Sequence, residues 1–411
     1  MCIRDRVYLG LSGQKNEIAT SDLQSFISSV LVQLDDCISR NRREDGLYHA
    51  YNLLNLDESG HGVDHLQEML EGQVAVLSAG VLSPEDALAT LDALRNSRMY
   101  RSDQNSYTLY PADPLPGFLE KNIIPQAMVS DNEWIRAELD TDDSQFVEQD
   151  INGQAHFNGR FRNAEELREA LEQERDLDES EIESACAVFE SAFRHQRFTG
   201  RSGAMYKYEG LGCIYWHMVS KLLLAIGETL ETTPRSLAEV RRGLLAHYDQ
   251  VKDGIGAHKS PQDYGAFPMD PYSHTPGFAG VQQPGMTGQV KEDVISRFDE
   301  LGVRVSGGQV EFFPNGLKRS EFFDEAADGS MPGIGSAGAD NLAAGTLAFT
   351  VCGVPVVYHL ADSPAIQLEL AGGDTREMPG ERLDPDSSRS LFMRDGKILR
   401  IDVDIDVRQV R

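Results

Sequence analysis

Apolar residues recur at helical spacing through the first three quarters of this chain, and at a spacing of two beyond Gly302. That change of period limits the chain to a helical part followed by a β part. Leu23, Phe26, Ile27, Val30, Leu31, Leu34 and Ile38 predict a helix behind Thr20 or Ser21 as its cap. Ser83-Pro84-Glu85-Asp86 combines a cap, a proline at the first helical position and acids in the first turn. Asn163 caps a further helix, and Ile182, Val188, Phe189 and Phe193 line the one after it. Others are predicted from about Leu211 to Leu230, from Ser236 to Val251, and from Val290 to Leu301, where Gly302 stops the turn. No sequence repeat accompanies them, so stacked helical hairpins are expected rather than a simple solenoid.

Beyond Gly302 the expected order is a hairpin over 303–325, turning at Gly307-Gly308, then a linker over 326–345 rich in Gly, Ala and Ser. A C-terminal β module over 346–411 follows, with strands at Thr346–His359, Ala365–Leu370 and Ser390–Val407 around an Asp395-Gly396 turn. Residues 1–302 are expected to form one α domain.

The 411 residues suffice for two or three domains. Charge narrows the partners. Against 38 Lys+Arg stand 66 Asp+Glu, a formal charge of -28 with no basic cluster, and nucleic-acid binding is not expected. The longest apolar stretch, Leu211–Ile226, holds His217 and Lys221 and falls short of the roughly 20 residues of a membrane span. It reads as a core helix. Five scattered cysteines without a CxxC pair fit reduced thiols, a cytoplasmic setting and no metal site. No cofactor fingerprint is present. The opening Met1-Cys2-Ile3-Arg4-Asp5-Arg6 resembles translated adapter sequence, which leads to the expectation of a missing N-terminal region.

Three groups of residues suit a polyhydroxyl ligand. The first is the loop Ala257–Gln289, 33 residues with five prolines and five glycines but few charges. Its Tyr264, Phe267, Tyr272 and Phe278 predict an ordered, packed loop, since disorder favours charge and few aromatics. Aromatic faces suit a pyranose, and His258, Lys259, His274, Gln282 and Gln283 would bind its hydroxyls. Asp270 sits in a stiff frame between Pro268 and Pro271. A plain Ω-loop covering the core is the alternative. The second group is the turn Gly200–Gly212, where Arg201, Lys207 and backbone amides suit an anion. There Glu209, beside Tyr208 and apolar surface, suits a general acid; the alternative is a tight helix entry. The third pairs Asp45, Tyr48, His49 and Asn52 with Asp103, Gln104 and Asn105, two polar turns that follow helices.

Several residues read as structural. Glu68 and Glu71 are expected on one solvated helix face, and His217 as a core histidine with a single hydrogen bond. Asp402, Asp404 and Asp406 alternate with apolar residues as the wet face of a strand.

Helical hairpins with long aromatic loops, followed by a small β module, resemble the six-hairpin, or (α/α)-toroid, carbohydrate-active enzymes. Glycoside hydrolases and inverting sugar phosphorylases are among them. The resemblance implies a mainly α, toroid-like domain ahead of the β module. Those phosphorylases carry a Trp-Asn-Asp motif, and neither Trp134 nor Trp216 has that context, so no catalytic residue carries over. Asp45–Asn52, Arg101–Tyr110, Thr199–Lys221 and His258–Gln289 also resemble parts of large bacterial proteins without a known activity.

The leading expectation is cleavage of a glycosidic bond by paired carboxylates, Glu209 as acid with Asp270 or Asp103 as partner. In a phosphorolytic variant Arg201 and Lys207 hold phosphate. A non-catalytic scaffold that binds glycan or a protein is the second reading. A lyase or isomerase with Tyr272 or His274 as base is the third. Under the leading reading Glu209→Gln lowers turnover by about 10²–10⁴-fold without unfolding the protein. Full activity in that variant, with an unchanged melting curve, removes Glu209 from the chemistry.

Overall fold

The computed structural model describes residues 17–57, 60–111, 116–141, 144–194, 212–267, 272–277, 280–284, 288–329 and 340–411. Of the described residues 45% are helix and 22% strand, with a five-stranded sheet near the C-terminus, and the expected mainly α, toroid-like fold is thereby overturned. The reason lies in the helix Trp216–Thr232. Its Trp216, Val219, Leu222, Ala225 and Ile226 are fully buried, and the helices Leu70–Ser78, Ala238–Asp253 and Gly288–Leu301 pack around it. A helix apolar over most of its circumference is driven to the centre of a cluster, not to one place in a ring. Short hairpins interrupt the helices as well, at Asn52–Asp57 with Gly60–His65 and at Tyr100–Arg101 with Ser106–Tyr107.

Local signals set most helix ends. Ser83 accepts a hydrogen bond from the Asp86 amide, and Asn163 does the same for Glu166. Each such cap contributes about 1 kcal/mol. Gly302, at φ +70°, ends the Gly288–Leu301 helix, a conformation that costs glycine little. The first helix, Thr20–Arg40, lacks a side-chain cap and has no buried residue; Leu23, Phe26, Leu31 and Leu34 are all exposed.

Residues 112–211 interrupt one large core and carry another. The core around the central helix draws on 47–110 and on 214–264. Ile124, Trp134, Phe146, Phe157, Leu167 and Phe189 belong instead to a separate core within residues 124–193. Its two longest helices are Ala164–Glu174 and Glu179–Phe193, beside the hairpin Val147–Gln149 with Ala155–Phe157. The chain leaves the first core after Tyr110 and re-enters it at Cys213, where the Leu109 amide donates to the Cys213 carbonyl at 2.9 Å. One hydrogen bond thus closes the neck of an inserted unit, as a tolerated domain insertion requires.

The third large core is that of the C-terminal sheet. Across it run Thr346–Val351, Val354–Ala361, Ile398–Asp406, Ala365–Leu370 and Thr375–Pro379. Val354–Ala361 and Ile398–Asp406 pair in parallel and the other neighbours are antiparallel. Val356, Tyr358, Ile366, Leu368, Ile401 and Val403 pack on Val310 and Phe312 of the hairpin Val303–Ser306 with Gln309–Phe312. The strand expected at Ser390–Val407 is a helix at its start. Asp384 caps Pro385–Met393 by accepting from Ser387, and Arg394, at φ +50°, ends the helix before Ile398–Asp406 begins. Between Glu325 and Thr346, Ala327–Gly329 pairs with Asp340–Leu342. Among the described residues no helix is long and apolar enough to cross a membrane.

The neck geometry makes the inserted unit dispensable for the core it interrupts. Replacing residues 112–211 by a short Gly/Ser bridge is expected to leave one cooperative unfolding transition, with the Leu109 amide still protected from hydrogen exchange. Loss of cooperative unfolding shows instead that the two cores depend on one another.

Candidate functional site

Next to the neck, three stretches of chain converge on Trp216. The segment Gly212–Trp216 forms one wall; its strand Ile214–Tyr215 pairs with Tyr272–Thr275, which pairs in turn with Gln282–Pro284. The buried Trp216 donates from Nε1 to Thr275 Oγ1 at 2.8 Å, with the Tyr264 ring edge-on at 5.6 Å and Tyr272 beyond it at 6.1 Å. His274 stacks on Tyr215 at 4.8 Å. The described part of the loop packs through Tyr264, His274 and Thr275, which are buried, whereas Phe267, expected to pack with them, is 76% exposed. Gly265 turns it at φ +84°, and a Cβ there would lie 2.6 Å from the Gly280 Cα.

The turn after Tyr100–Arg101 joins this assembly through side chains. Arg101 donates to the Asp103 carboxylate at 2.8 Å and to the Gly212 carbonyl at 2.8 Å. The guanidinium holds the Asp103 carboxyl below the usual carboxylate range, so it stays ionised. Gln104 donates to the Asp263 carbonyl at 2.9 Å and accepts from Lys259 Nζ at 2.9 Å. Lys259 lies over the Trp216 ring at 4.9 Å. Burial first, then the Arg101 charge, pulls its ammonium down to about 8. Asn105 shapes the turn itself. At φ +44° it reverses the chain, and its Oδ1 accepts from the Tyr100 hydroxyl at 3.0 Å. His258, Gln282 and Gln283 sit exposed at the rim.

The residues of the other turn lie around a different cleft, of about 640 Å³. Tyr48, His49 and Tyr51 line one side, Glu71 another, and Lys221 and Glu292 the wall formed by the central helix and its neighbour. Among the described residues the Ala257–Gln289 loop contributes none to its lining. Buried Gln73 holds the chain here in place of a strand partner, accepting from the Tyr48 amide and donating to the Tyr48 carbonyl, both at 2.9 Å. Asp45 is engaged by Arg43 at 2.9 Å and accepts from the Leu47 amide, a turn-forming role. Asn52 bonds Asn41 at 2.9 Å and His65 at 2.7 Å. Glu68 precedes the helix Leu70–Ser78 instead of sharing its face with Glu71, and pairs with Arg98 at 3.1 Å.

Glu292 and Lys221 are the lining residues that sequence reasoning missed. Glu292 is 3% exposed; its Oε1 lies 3.5 Å from His217 Nε2, and its Oε2 has no hydrogen-bond partner among the described residues. The spacing, but not the face, is legible in the sequence: Gln289, Glu292, Ser296 and Glu300 recur at helical spacing and form the buried face of their helix. Val290, Val294, Ile295 and Phe298 occupy the exposed one. His217 makes one hydrogen bond, with the Tyr215 hydroxyl at 3.2 Å, and its Nε2 has no hydrogen-bond partner among the described residues. Glu209, Arg201, Lys207, Tyr208 and Asp270 lie outside the described residues. Among the described residues no group of His, Cys, Asp or Glu has a metal-binding arrangement.

Residues 115–196 match a family model described as GH149 phosphorylase insertion domain 2. The match coincides with the inserted unit and its separate core. No curated protein matches the chain. The matched unit is about a fifth of the sequence, and it ties the chain to glycosidase- and phosphorylase-related proteins at that coarse level.

The buried ammonium supplies a test of the assembly around Trp216. Folded Lys259 releases its proton near 8, whereas the unfolded chain keeps it to the ordinary value of 10.5. Between those values the unfolded state binds more protons, so this group makes stability rise with pH across the window. Urea midpoints from pH 7.5 to 10 are expected to climb in the wild type relative to Lys259→Met. Parallel profiles show that the ammonium is not buried.

Proposed function

We propose that the chain is part of an enzyme that cleaves a glycosidic bond with inorganic phosphate. The observation that carries this reading is the match of residues 115–196 to a phosphorylase insertion domain, set into a core whose neck adjoins the Trp216 assembly. The host offers accessible aromatic surface at Tyr215, Tyr272 and Phe267 beside fixed polar groups, which suits a sugar, whereas Trp216 and Tyr264 are buried beneath.

In such a reaction a phosphate oxygen attacks the anomeric carbon and the bond to the leaving sugar oxygen breaks. A carboxylic acid passes its proton to that oxygen, and the products are a sugar phosphate and a shortened saccharide. Phosphate replaces the activated water of a hydrolase, so one carboxyl group suffices. Glu209 is our candidate for that acid, with Arg201 and Lys207 as cations for the phosphate. Asp103, kept ionised by Arg101, suits charge stabilisation and not proton donation.

The second reading, a non-catalytic scaffold within a larger assembly, is favoured by the exposed apolar faces of Thr20–Arg40 and Gly288–Leu301. Incubation with β- and α-linked gluco-oligosaccharides, with and without inorganic phosphate, separates the two. Phosphorolysis releases a sugar phosphate and only in the presence of phosphate. Free reducing sugar at equal rates with and without phosphate identifies a hydrolase. Saccharide binding without any product leaves the scaffold.

A further inference from the structure

In a chain with a formal charge of -28, a cleft with five arginines in its lining is out of character. One such cleft, of about 580 Å³, lies where the helix Ala238–Asp253 meets the end of the C-terminal module. Arg235, Arg241, Arg242, Arg408 and Arg411 line it, with Asp249 as the one acidic residue in its lining.

Three of these arginines are neutralised locally. Arg411 grips Asp249 through two bonds at 2.6 and 2.8 Å, Arg408 pairs with Asp406, and Arg242 reaches Glu239 at 2.6 Å. Asp249 is further shared with Lys318 at 3.1 Å. Arg235 and Arg241 have no carboxylate at ion-pair distance among the described residues. Arg241 is half-buried and spends its bonds on neutral acceptors, the Leu230 carbonyl at 2.7 Å, the Thr233 carbonyl at 2.8 Å and the Asn315 side chain. Its Nε–H and one Nη2–H are left over. Arg235 lies over one ring, Phe313, at 4.3 Å, and Arg304 shares that ring at 5.6 Å. Arg304 is answered by Glu231 at 3.1 Å.

We infer that this cleft is an oxyanion site that takes a phosphate group, free or carried on a sugar, with Arg235 and Arg241 as its principal donors. Guanidinium forks match the oxygens of phosphate in pairs, and arginine is the residue of choice where that geometry is wanted. Two guanidinium groups without an ion-pair partner among the described residues supply the charge, Arg241 on a helix and Arg235 on the turn before it. Burial, followed by the nearby charges of Arg235 and Arg304, disfavours the cationic form of Arg241, a penalty that a bound anion would remove. The site stands apart from the Trp216 assembly, with which it shares no residue, and does not rest on the phosphorolytic reading.

Calorimetric titration of the full chain with inorganic phosphate and with glucose 1-phosphate, at matched ionic strength and without acceptor saccharide, tests it. Saturable binding of at least one probe is expected, weakening as salt rises. Arg235→Gln is expected to weaken it about tenfold or more, with Arg235→Lys intermediate. Arg235 is exposed, so its variants should melt as the wild type does in phosphate-free buffer, whereas Arg241→Gln also removes bonds to a helix end. Tighter binding of glucose 1-phosphate identifies a sugar phosphate as the ligand, and equal or tighter binding of inorganic phosphate identifies the free ion. The inference fails if neither probe saturates, or if Arg235→Gln binds both as the wild type does, since phosphate then binds elsewhere or not at all. Neither result depends on turnover, so the site and the phosphorolytic reading stand or fall separately.

Discussion

A buried carboxylate, Glu300, ties the helical core to the C-terminal module. It is 6% exposed and accepts from the Tyr248 hydroxyl at 2.8 Å, Lys252 Nζ at 2.5 Å and Arg297 Nη1 at 2.6 Å. Burial pushes its carboxyl up, but the three donors outweigh burial and hold it below the usual glutamate range. Arg297 carries the link on to Glu321 at 2.6 Å, so two helices and the turn Arg319–Glu321 meet on one charge. Removing a partner from such a group costs about 3–5 kcal/mol, because an uncompensated charge remains buried. One residue further on, the Leu301 carbonyl accepts from the buried Tyr358 hydroxyl of the sheet at 2.6 Å. Two consecutive residues thus tie the module to the core, and the paired bonds of Arg411 to Asp249 add a second anchor.

The same constraint explains the floor of the cleft near Tyr48. Once Glu300 faces inward, helical spacing turns Ser296, Glu292 and Gln289 inward with it. Apolar Val290, Val294, Ile295 and Phe298 are forced to the opposite, exposed side. Glu292 consequently reaches the cleft that Glu71 and Lys221 also line. A helix that buries its polar face forfeits about 25 cal/mol for each Å² of apolar surface left in water. The network around Glu300 offsets that loss locally.

This inversion marks where the sequence stops being legible. Caps, the glycine stop at Gly302 and the buried central helix follow from neighbours within a few residues, and they are readable. Which face of Gly288–Leu301 turns inward depends on Lys252 and Tyr248, both on another helix, and no periodicity reveals it. The ring expected from a succession of helices fails for a related reason: whether helices close a circle or gather round one member is decided by distant contacts. At Ser390–Met393 the strand expectation fails because the helix that starts at the Asp384-Pro385 cap runs on to Met393. The tie between the turn at Asp103 and the long loop is legible in composition, but its agents, Lys259 and Gln104 bonded side chain to side chain, are not.

Arg101 connects the candidate site to the inserted unit. One guanidinium orients Asp103 and fixes the Gly212 carbonyl, and Gly212 stands at the point where the chain returns from the insertion. Next to it, Cys213 accepts the Leu109 bond that closes the neck, and Ile214–Tyr215 opens the wall that carries Trp216. Any displacement of the returning strand must therefore break the Arg101 contact or pull on Asp103 and the Trp216–Thr275 bond. Site and insertion share backbone, not merely a boundary. An inserted unit with its own core adds mass at small cost to its host, and a neck built into the wall of a site lets its position bear on that site.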